Sequence, residues 1–339
     1  MKTSEFDFNL PDRLIAHKSA EKREKSRLLI YHNKSDKIEH KKFEEILNYF
    51  DEGDVLVLNN SRVIPARLFA RKPTGAEIEL LLLNEKENNK WEALARPRKR
   101  LKTNKKIIIE DIEVEVAEKT EWGGVIVKFP SGLNVYRFLE KNGYVPIPPY
   151  IKNEDQKYLK KRYQTVFAEK KGSIAAPTSG LHFSKDLLEK IKLKGVKIAY
   201  LTLHVGLGTF EPVKVKKVEN FDIHSEYYEL EKETVEKINN ARGKIVCCGT
   251  TVTRTLEYVH TKFGKLKPSK GWCDLFIYPG YDFKVIDNLI TNFHLPKSSL
   301  IMLVAALTGK EKILSIYKKA ICREYRFYSF GDAMFIMDD

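Results

Sequence analysis

The chain has 339 residues and a mass of 39.3 kDa, a length that predicts two domains or one domain with a large insertion. Its residues are 42% apolar and 31% charged, a composition that excludes a disordered chain. Sixty basic against 46 acidic residues give a net charge of +14, which favours a polyanionic partner such as RNA, DNA or anionic lipid. The longest apolar stretch, residues 300–307, is shorter than the roughly 20 residues of a membrane span, and residues 1–7 lack the apolar core of a signal peptide. We therefore expect a cytoplasmic protein that has no membrane partner.

The first part of the chain is typical of an α/β domain. Apolar runs at residues 27–32 and 54–58 predict buried strands. Between them, apolar residues recur at helical spacing at Phe43, Ile46, Leu47 and Phe50.

From about residue 64 the pattern changes to short strands separated by turns. Several of them alternate apolar and charged residues, and a helix follows at residues 134–141. The predicted strands are residues 76–83, 91–95, 106–109, 112–116 and 125–129. Short strands at this spacing are typical of a small antiparallel barrel.

After a proline-rich connector at residues 146–149, strands and helices alternate again. Predicted strands are residues 196–204, 245–248 and 272–278, and predicted helices are residues 185–194, 231–241, 250–262, 297–307 and 310–325. The predicted fold is a mixed α/β, barrel-like main domain formed by residues 1–63 and 150–339. It is interrupted by an inserted antiparallel β-barrel domain at residues 64–149.

The four cysteines indicate neither a metal site nor a disulfide framework. Cys247 and Cys248 are adjacent and would point to opposite faces of a strand, and Cys273 and Cys322 are isolated. We expect all four to be buried thiols in a reducing cytoplasm.

Basic residues concentrate in the predicted barrel domain, where no acid occurs between positions 96 and 106. The seven are Arg96, Arg98, Lys99, Arg100, Lys102, Lys105 and Lys106. A second cluster is formed by Lys157, Lys160, Lys161 and Arg162. Nucleic-acid binding is one interpretation, and a generally lysine-rich composition is the other.

Several polar, glycine-containing loops are candidates for ligand binding. Residues 59–67 follow a strand, where α/β proteins place ligands, although asparagine and serine also cap helices and turns. Residues 175–183 present His182, and a structural histidine is the alternative. Residues 202–212 contain His204 and two glycines that let the backbone approach a ligand, or form a plain turn.

Three further segments carry groups suited to acid–base chemistry or anion binding. His224 and Glu226 share one face if their segment is extended, as in an acid–base pair or a surface pair. Thr250 and Thr251 would lie at a helix N-terminus with Arg254 one turn on, which favours a carboxylate or phosphate unless the threonines only cap the helix. Residues 325–334 hold four aromatic residues that could stack on purines or belong to the core.

Taken together, these loops form an ordered series of motifs between Asn59 and Met334. They are Asn-x-Ser-Arg-Val-Ile-Pro-Ala-Arg, Ala-Pro-Thr-x-Gly-Leu-His-Phe, Leu-His-Val-Gly-x-Gly-Thr-Phe-x-Pro-Val, Gly-Thr-Thr-x-x-Arg-Thr-Leu-Glu, Pro-Gly-Tyr-x-Phe, Thr-Asn-Phe-His-Leu-Pro-Lys-Ser and Tyr-Arg-Phe-x-Ser-x-Gly-Asp-Ala-Met. The series closely resembles the S-adenosylmethionine:tRNA ribosyltransferase-isomerase (QueA) family of queuosine biosynthesis. Two positions depart from the family pattern: Asn60 stands where an acid is usual, and Phe221 where a histidine is usual.

The resemblance implies a β-barrel inserted in an α/β domain, and a specific reaction. The ribosyl group of S-adenosylmethionine moves to the aminomethyl group of a 7-deazaguanine base (preQ1) at the wobble position of tRNA with a GUN anticodon. Isomerisation gives epoxyqueuosine-tRNA, and adenine and methionine leave. S-adenosylmethionine is consumed as co-substrate, and neither a permanently bound cofactor nor a metal is expected. The expected partners are this tRNA and S-adenosylmethionine, with a monomer favoured.

This chemistry needs a base beside the sulfonium, an acceptor for the amine proton and an acid for adenine. The candidate catalytic residues are His182, His204, His224, Glu226, His294 and Asp332. The candidate substrate-binding residues are Arg62, Thr178, Gly206, Gly208, Thr209, Phe210, Thr250, Thr251, Arg254, Asn292, Tyr325, Arg326 and Phe327. Which histidine is the base stays open at this point.

Within this set we expect three specific contacts. The sulfonium would face Phe210, Tyr325 or Phe327, and the methionine carboxylate would lie at the Thr250–Thr251 helix terminus with Arg254. Asp332 could instead accept from the extruded base. A Rossmann-type tRNA methyltransferase and a non-enzymatic RNA-binding protein are the alternatives, and the former lacks its usual glycine-rich loop here.

Overall fold

The structure is a computed structural model that describes residues 1–148, 150–151, 155–206, 208 and 212–339, with only the backbone described at Arg100. Its strands are β1 (Arg27–His32), β2 (Lys37–Lys42), β3 (Val55–Asn59), β4 (Ser61–Val63), β5 (Arg67–Arg71), β6 (Glu77–Glu85), β7 (Lys90–Arg96), β8 (Lys105–Ile109), β9 (Ile112–Lys119), β10 (Val125–Lys128), β11 (Lys170–Ser173), β12 (Lys197–Leu203), β13 (Glu226–Leu230), β14 (Ile245–Cys248), β15 (Ser269–Cys273), β16 (Asn288–Asn292) and β17 (Ala333–Met337). Its α-helices are α1 (Val135–Asn142), α2 (Gln156–Arg162), α3 (Lys185–Leu193), α4 (Lys232–Asn239), α5 (Thr250–Phe263), α6 (Ser299–Thr308) and α7 (Lys310–Cys322).

A nine-stranded mixed sheet organises the main domain, in the order β15-β13-β12-β3-β14-β16-β17-β1-β2. The four neighbouring strands β12, β3, β14 and β16 run parallel, while β13 and β17 run antiparallel to the strands beside them in this group. The central strands are buried on both faces, which explains their continuous apolar sequences.

Hydrophobic cores cover both faces of this sheet. Helices α4 to α7 pack on one face, and α3 with the 3₁₀ segment Phe43–Tyr49 packs on the other. Cys247 and Cys248 belong to opposite cores, as their alternation along β14 predicts. The predicted α/β class is therefore confirmed, although the sheet ends in two edge strands and is open rather than barrel-like.

The inserted module is a closed antiparallel barrel of six strands, in the order β10-β7-β6-β5-β8-β9. Its core includes Ile64 and extends to Val135 and Leu139 on α1, which packs against the barrel. The barrel was predicted with five strands. The additional strand is β5, which pairs with β6 and β8 to close the ring.

Several element predictions need correction. The elements of the main domain that were not predicted are β2, β4, β11, β13, β16, β17 and α2. The last helix ends at Cys322 rather than at Tyr325. The strand predicted at residues 272–278 is wrong beyond Cys273, where β15 ends. The carbonyl oxygens of Cys273 and Leu275 accept hydrogen bonds from the Arg254 side chain rather than from a neighbouring strand.

The cysteine prediction holds for three residues out of four. Cys247, Cys248 and Cys273 are buried, and burial raises the pKa of all three thiols. Cys322 is exposed at the end of α7. The domain boundaries at residues 63/64 and 149/150 stay a prediction, and Pro149 itself lies outside the described residues.

Across the described part of the chain, no helix combines the length and the apolar character that crossing a membrane requires.

Candidate active site

The predicted loops meet at one edge of the large sheet. The parallel strands β3, β12, β14 and β16 end at this edge, where Asn59, His204, Thr250 and Asn292 follow or close them. The antiparallel neighbours β13 and β17 begin there, which brings Glu226 to the same edge and places Asp332 just before β17. The carboxyl edge of parallel strands is where α/β proteins bind ligands.

A cleft of about 780 Å³ opens at this edge, between the sheet and the barrel. This volume lies within the range of roughly 300–1,000 Å³ that is typical of ligand sites. Main-domain residues on its wall are Gly172, Ile174, His204, Val205, Gly206, Gly208, Ile223, His224, Ser225, Glu226, Tyr227, Arg254, Trp272, Ser299 and Leu300. Barrel residues on its wall are Leu83, Asn84, Lys86, Glu92, Leu94 and Trp122.

A buried ion pair forms the floor of the cleft. Arg254 Nη1 donates to Glu226 Oε2 at 2.7 Å, with side chains only 6% and 4% exposed. The other Glu226 oxygen accepts from the Gly206 amide at 2.8 Å, and Arg254 also donates to the carbonyls of Leu275 (3.0 Å) and Cys273 (3.4 Å). Arg254 is therefore held by the protein itself while it lines the cleft, and its role as a clamp for a carboxylate stays a prediction.

Two of the four predicted histidines line the cleft. His204 is half-buried, and burial lowers the pKa of its imidazole, an effect that nearby Glu229 partly opposes. Its Nδ1 is buried and makes no hydrogen bond within the described structure. His224 is exposed on the cleft wall, whereas Glu226 is buried against Arg254, and the pairing of His224 with Glu226 stays a prediction.

Glycines allow close approach around these imidazoles. A Cβ at Gly172 would lie 2.8 Å from the His204 ring, and its φ of +144° also disfavours other residues. A Cβ at Gly208 would lie 2.3 Å from the ring of His224. Gly206 and Gly208 therefore line the cleft, consistent with their prediction as substrate-binding positions.

His182 is buried, is not among the residues described on the cleft wall, and belongs to a defined hydrogen-bond chain. Asn292 Nδ2 donates to His182 Nε2 at 3.2 Å and to the Tyr328 carbonyl at 3.0 Å. Nε2 is therefore the acceptor, and Nδ1 carries the proton that it donates to Ser26 Oγ at 2.8 Å. Burial against Phe43 lowers the pKa of His182 to about 4, so the imidazole is neutral at pH 7.

A second, small pocket of about 30 Å³ lies beside the cleft and shares Leu300 with it. It is lined by Thr178, Asn292, Phe293, His294, Leu295, Ser298, Leu300, Tyr328 and Ser329. Burial lowers the pKa of His294 to about 3, and its Nε2 is 2.8 Å from Thr291 Oγ1. Asn292 Oδ1 is buried and has no hydrogen-bond partner within the described structure.

Asp332 accepts hydrogen bonds from two backbone amides at the sheet edge. Its Oδ1 accepts from the Arg27 amide at 3.0 Å and from Arg326 Nη2 at 3.2 Å, and its Oδ2 accepts from the Arg326 amide at 2.9 Å. It is 1% exposed. The structure thus gives Asp332 a bracing role, whereas the Arg326 side chain remains 35% exposed, and the predicted contacts of both residues with substrate stay predictions.

The aromatic residues of the same segment belong to the core. Tyr325 and Phe327 are fully buried, and both contact Phe293. Tyr325 also lies beneath the Arg27 guanidinium, 3.7 Å from the ring centroid, and its hydroxyl hydrogen-bonds His40 at 2.7 Å. The prediction that these rings face the sulfonium is therefore wrong.

Six other predicted binding residues have mixed placements. Thr178 lines the small pocket, and Thr250 and Thr251 are buried at the N-terminus of α5 as expected. Arg62 is exposed on β4, outside the described lining of the cleft, and its contact with substrate stays a prediction. Thr209 and Phe210 lie outside the described residues.

The sequence of the chain places it in a known family. It matches the family described as Queuosine biosynthesis protein over residues 3–336. A relative from Thermoanaerobacter sp. (strain X514), named S-adenosylmethionine:tRNA ribosyltransferase-isomerase, is 51% identical over 99% of this chain and 100% of that protein. This chain belongs to the queuosine biosynthesis protein family.

A solved structure agrees with this assignment. The crystal structure of S-adenosylmethionine tRNA ribosyltransferase from Thermotoga maritima matches with a TM-score of 0.58 and 39% identity, over 98% of this chain and 100% of that one. The resemblance inferred from the motifs is therefore confirmed at the level of the family and of the fold.

The two departures from the family pattern have structural roles in this member. Asn60 is buried, and its Oδ1 accepts from Thr202 Oγ1 at 2.7 Å. Phe221 packs edge-on against Phe276 at 5.2 Å. Neither side chain carries a proton that could be transferred at neutral pH.

The basic segment at residues 96–106 connects β7 to β8 on the barrel. Arg96, Lys99, Lys102, Lys105 and Lys106 are exposed, whereas Arg98 is half-buried and donates to the Thr120 carbonyl at 2.9 Å. Lys106 is paired with Glu113, which reduces its availability for a phosphate.

Sequence reasoning missed the barrel wall of the site in this family member. Lys86 pairs with Glu92 at 3.1 Å on that wall, and Trp122 lines the same wall. The available signal was the Gly123–Gly124 turn beside a tryptophan, which was interpreted as a turn only. Among the described residues, no group of three or more His, Cys, Asp or Glu side chains could hold a metal ion.

Proposed function

We propose that this chain is an S-adenosylmethionine:tRNA ribosyltransferase-isomerase. It transfers the ribosyl group of S-adenosylmethionine to the aminomethyl group of preQ1 at the wobble position of tRNA with a GUN anticodon, and isomerises it to give epoxyqueuosine-tRNA. Adenine and methionine are the other products. The observation that carries the proposal is the 51% identity to a protein of this name over 99% of the chain. The convergence of the motif loops on one cleft agrees with it.

We assign proton transfer to His204 and His224, since these are the two candidate imidazoles on the described wall of the cleft. The reaction needs a base beside the sulfonium and an acceptor for the proton of the attacking amine, whose pKa is about 10 in water. His204 is suited to be the base, because burial lowers its pKa and keeps it neutral at pH 7.

His182 acts as a positioning residue in this proposal. Its neutral imidazole accepts from Asn292 Nδ2, which turns the Asn292 amide so that Oδ1 is left as an acceptor at the small pocket. A buried acceptor without a partner favours a hydrogen-bond donor, and a pocket of about 30 Å³ admits a water molecule or the amino group of a ligand rather than a whole base. Thr178 lines the same pocket and would contact the same ligand.

Glu226 and Arg254 act as a brace rather than as reactants. Glu226 holds both the Gly206 amide and Arg254, which fixes the glycine loop after β12 relative to α5. A fixed loop beside His204 preorganises the site, and misplacing it by about 1 Å could cost on the order of 100-fold in rate.

The tRNA phosphates would follow the basic segment of the barrel, since Lys99, Lys102 and Lys105 are exposed there and positions 96–106 contain no acid. The proposal extends to a monomeric, cytoplasmic enzyme that requires no metal. Activity that survives dialysis against EDTA, together with a monomeric mass in solution, would agree with these two points.

The decisive experiment is incubation of the protein with preQ1-containing tRNA and S-adenosylmethionine. Free adenine and methionine are the expected products. S-adenosylhomocysteine would instead indicate a methyltransferase, and RNA binding without consumption of S-adenosylmethionine would indicate a non-enzymatic protein.

Histidine variants test the assigned roles. His204→Asn and His224→Asn are each expected to slow adenine release about 100-fold or more, equivalent to about 2.7 kcal/mol of barrier. His260→Asn is the matched control. His260 lies in the last turn of α5, whereas the site is at the first residue of this helix, Thr250, ten positions earlier. Near-parent rates in both cleft variants would disprove the assignment.

A further inference from the structure

The three tryptophans of the chain have contrasting environments. Trp91 is 1% exposed in the barrel core, whereas Trp122 and Trp272 are 53% and 47% exposed. Both exposed indoles line the same cleft, Trp122 from the barrel and Trp272 from the main domain. Large aromatic faces left open to water on both walls of one cleft indicate a surface that is covered when a ligand binds.

Trp122 is held in place by its own turn. The Gly124 amide donates to Thr120 Oγ1 at 2.8 Å, and a Cβ at Gly124 would lie 2.1 Å from the indole. The ring therefore lies across a glycine that leaves room for it. Arg98 of the basic segment donates to the Thr120 carbonyl, which joins this turn to the cationic surface of the barrel.

Trp272 is connected to the proposed base through another ring. It packs edge-on against Tyr227 at 5.7 Å, and Tyr227 stacks on His204 at 6.1 Å with 15° between the planes. A planar ligand on Trp272 would thus lie near the imidazole that we assign to proton transfer.

We propose that Trp122 and Trp272 are stacking platforms for unpaired bases of the anticodon loop in the RNA substrate. This inference rests on the proposed function, since it assumes that RNA enters the cleft. Aromatic faces stack on any base, and the basic segment beside Trp122 complements the phosphates that link those bases. Two platforms on opposite domains would hold the nucleotides that flank the reacting base.

Binding of a synthetic anticodon stem–loop RNA to the full chain tests the inference. Trp122→Ala and Trp272→Ala are each expected to raise the Kd about 5- to 150-fold, and the corresponding Phe variants are expected to recover most of the affinity. Gly124→Ala keeps the indole but displaces it, so it is expected to weaken binding in the same direction as Trp122→Ala. Phe69→Ala is the control, because Phe69 is a comparably exposed barrel aromatic outside the described cleft lining.

Tryptophan fluorescence gives a second readout that is independent of catalysis. The stem–loop is expected to quench the emission of the exposed indoles, while a fully paired RNA duplex of the same composition quenches it much less. Unchanged affinity in both Ala variants would overturn the inference. A change in emission that depends on protein concentration, with no response to the stem–loop, would overturn it in favour of self-association.

The two proposals fail in distinguishable ways. If adenine is never released but the stem–loop still binds through both tryptophans, the proposed reaction is wrong and the proposal of base stacking is supported. If the variant with both Trp122→Ala and Trp272→Ala releases adenine at the parent rate at low RNA concentration, the proposal of base stacking is wrong and the proposed reaction is supported.

Discussion

His182 and His294 should make the folding stability of this protein depend steeply on pH. Burial lowers the pKa of His182 to about 4 and that of His294 to about 3, from an ordinary value of 6.5. The unfolded chain therefore binds more protons than the folded chain once the pH falls below about 6.5. Stability is fully present above this pH and is lost as the pH falls towards the folded values.

The size of this effect follows from the number of protons. Each buried histidine contributes a slope of about 1.4 kcal/mol per pH unit in the middle of its window, so the two together give about 2.7 kcal/mol per unit between pH 4 and 6.5. Integrated over the windows, His182 accounts for about 3 kcal/mol and His294 for about 5 kcal/mol. This is comparable to the whole stability of many domains.

Urea unfolding measured at intervals between pH 4.5 and 7.5 checks this prediction. His182→Gln and His294→Gln should each reduce the slope by about one proton, whatever they do to stability at pH 7. His224→Gln, which changes an exposed imidazole, is the control. Equal slopes in the parent and in both buried-site variants would refute the placement of neutral histidines in the core.

The same variants separate positioning from catalysis. If His182 only orients Asn292, His182→Gln should raise KM for S-adenosylmethionine and leave the acid limb of the kcat profile in place. A shift of that limb would instead show that His182 exchanges protons during the reaction.

Three further predictions follow from the site and from the surface. Glu226→Gln leaves buried Arg254 without a counter-charge and should lower the free energy of unfolding by about 3–5 kcal/mol in urea titrations, whereas a loss below 1 kcal/mol would mean that the pair is solvated. Changing Lys99, Lys102 and Lys105 to Gln should make the plot of log K for tRNA association against log salt concentration less steep by about 2. The affinity for S-adenosylmethionine should not change. An unchanged slope would mean that the segment does not contact the RNA. Only Cys322 should react quickly with a thiol reagent in the native protein, and fast reaction of a second thiol would contradict the burial of the other three.

The sequence predicted the fold better than it predicted individual contacts. Period-2 alternation and glycine-containing turns identified most barrel strands, because one face of each strand is apolar. Strand β5 was not predicted, because its sequence Arg-Leu-Phe-Ala-Arg places the apolar Phe69 on the exposed face and so weakens the alternation of apolar and polar residues. Apolar runs likewise identified the central strands, which are covered on both faces.

Side-chain roles depend on tertiary contacts that a linear pattern does not contain. His224 and Glu226 were placed on one face by assuming an extended segment, but β13 begins only at Glu226, and the preceding loop does not follow the alternation. Tyr325 and Phe327 could equally face a ligand or a core, and the partner that decides between these is Phe293, more than thirty residues away. The motifs predicted which strand ends meet at one edge of the sheet, because strand ends are visible in sequence; that this edge is the active site stays a prediction.

The charge balance of the cleft supports a neutral base in the proposed reaction. Both carboxylates on its described wall are already paired, Glu226 with Arg254 and Glu92 with Lys86. A bound sulfonium would therefore repel a second positive charge on His204 and, together with burial, would outweigh the opposite effect of nearby Glu229 and keep that imidazole unprotonated. Once a proton leaves the carbon beside the sulfur, the ylide has no net charge, and the repulsion that opposed protonation of His204 disappears. The transfer thus moves the positive charge from the sulfonium centre to the imidazole without creating a new one, which is the condition under which a half-buried histidine can act as the base.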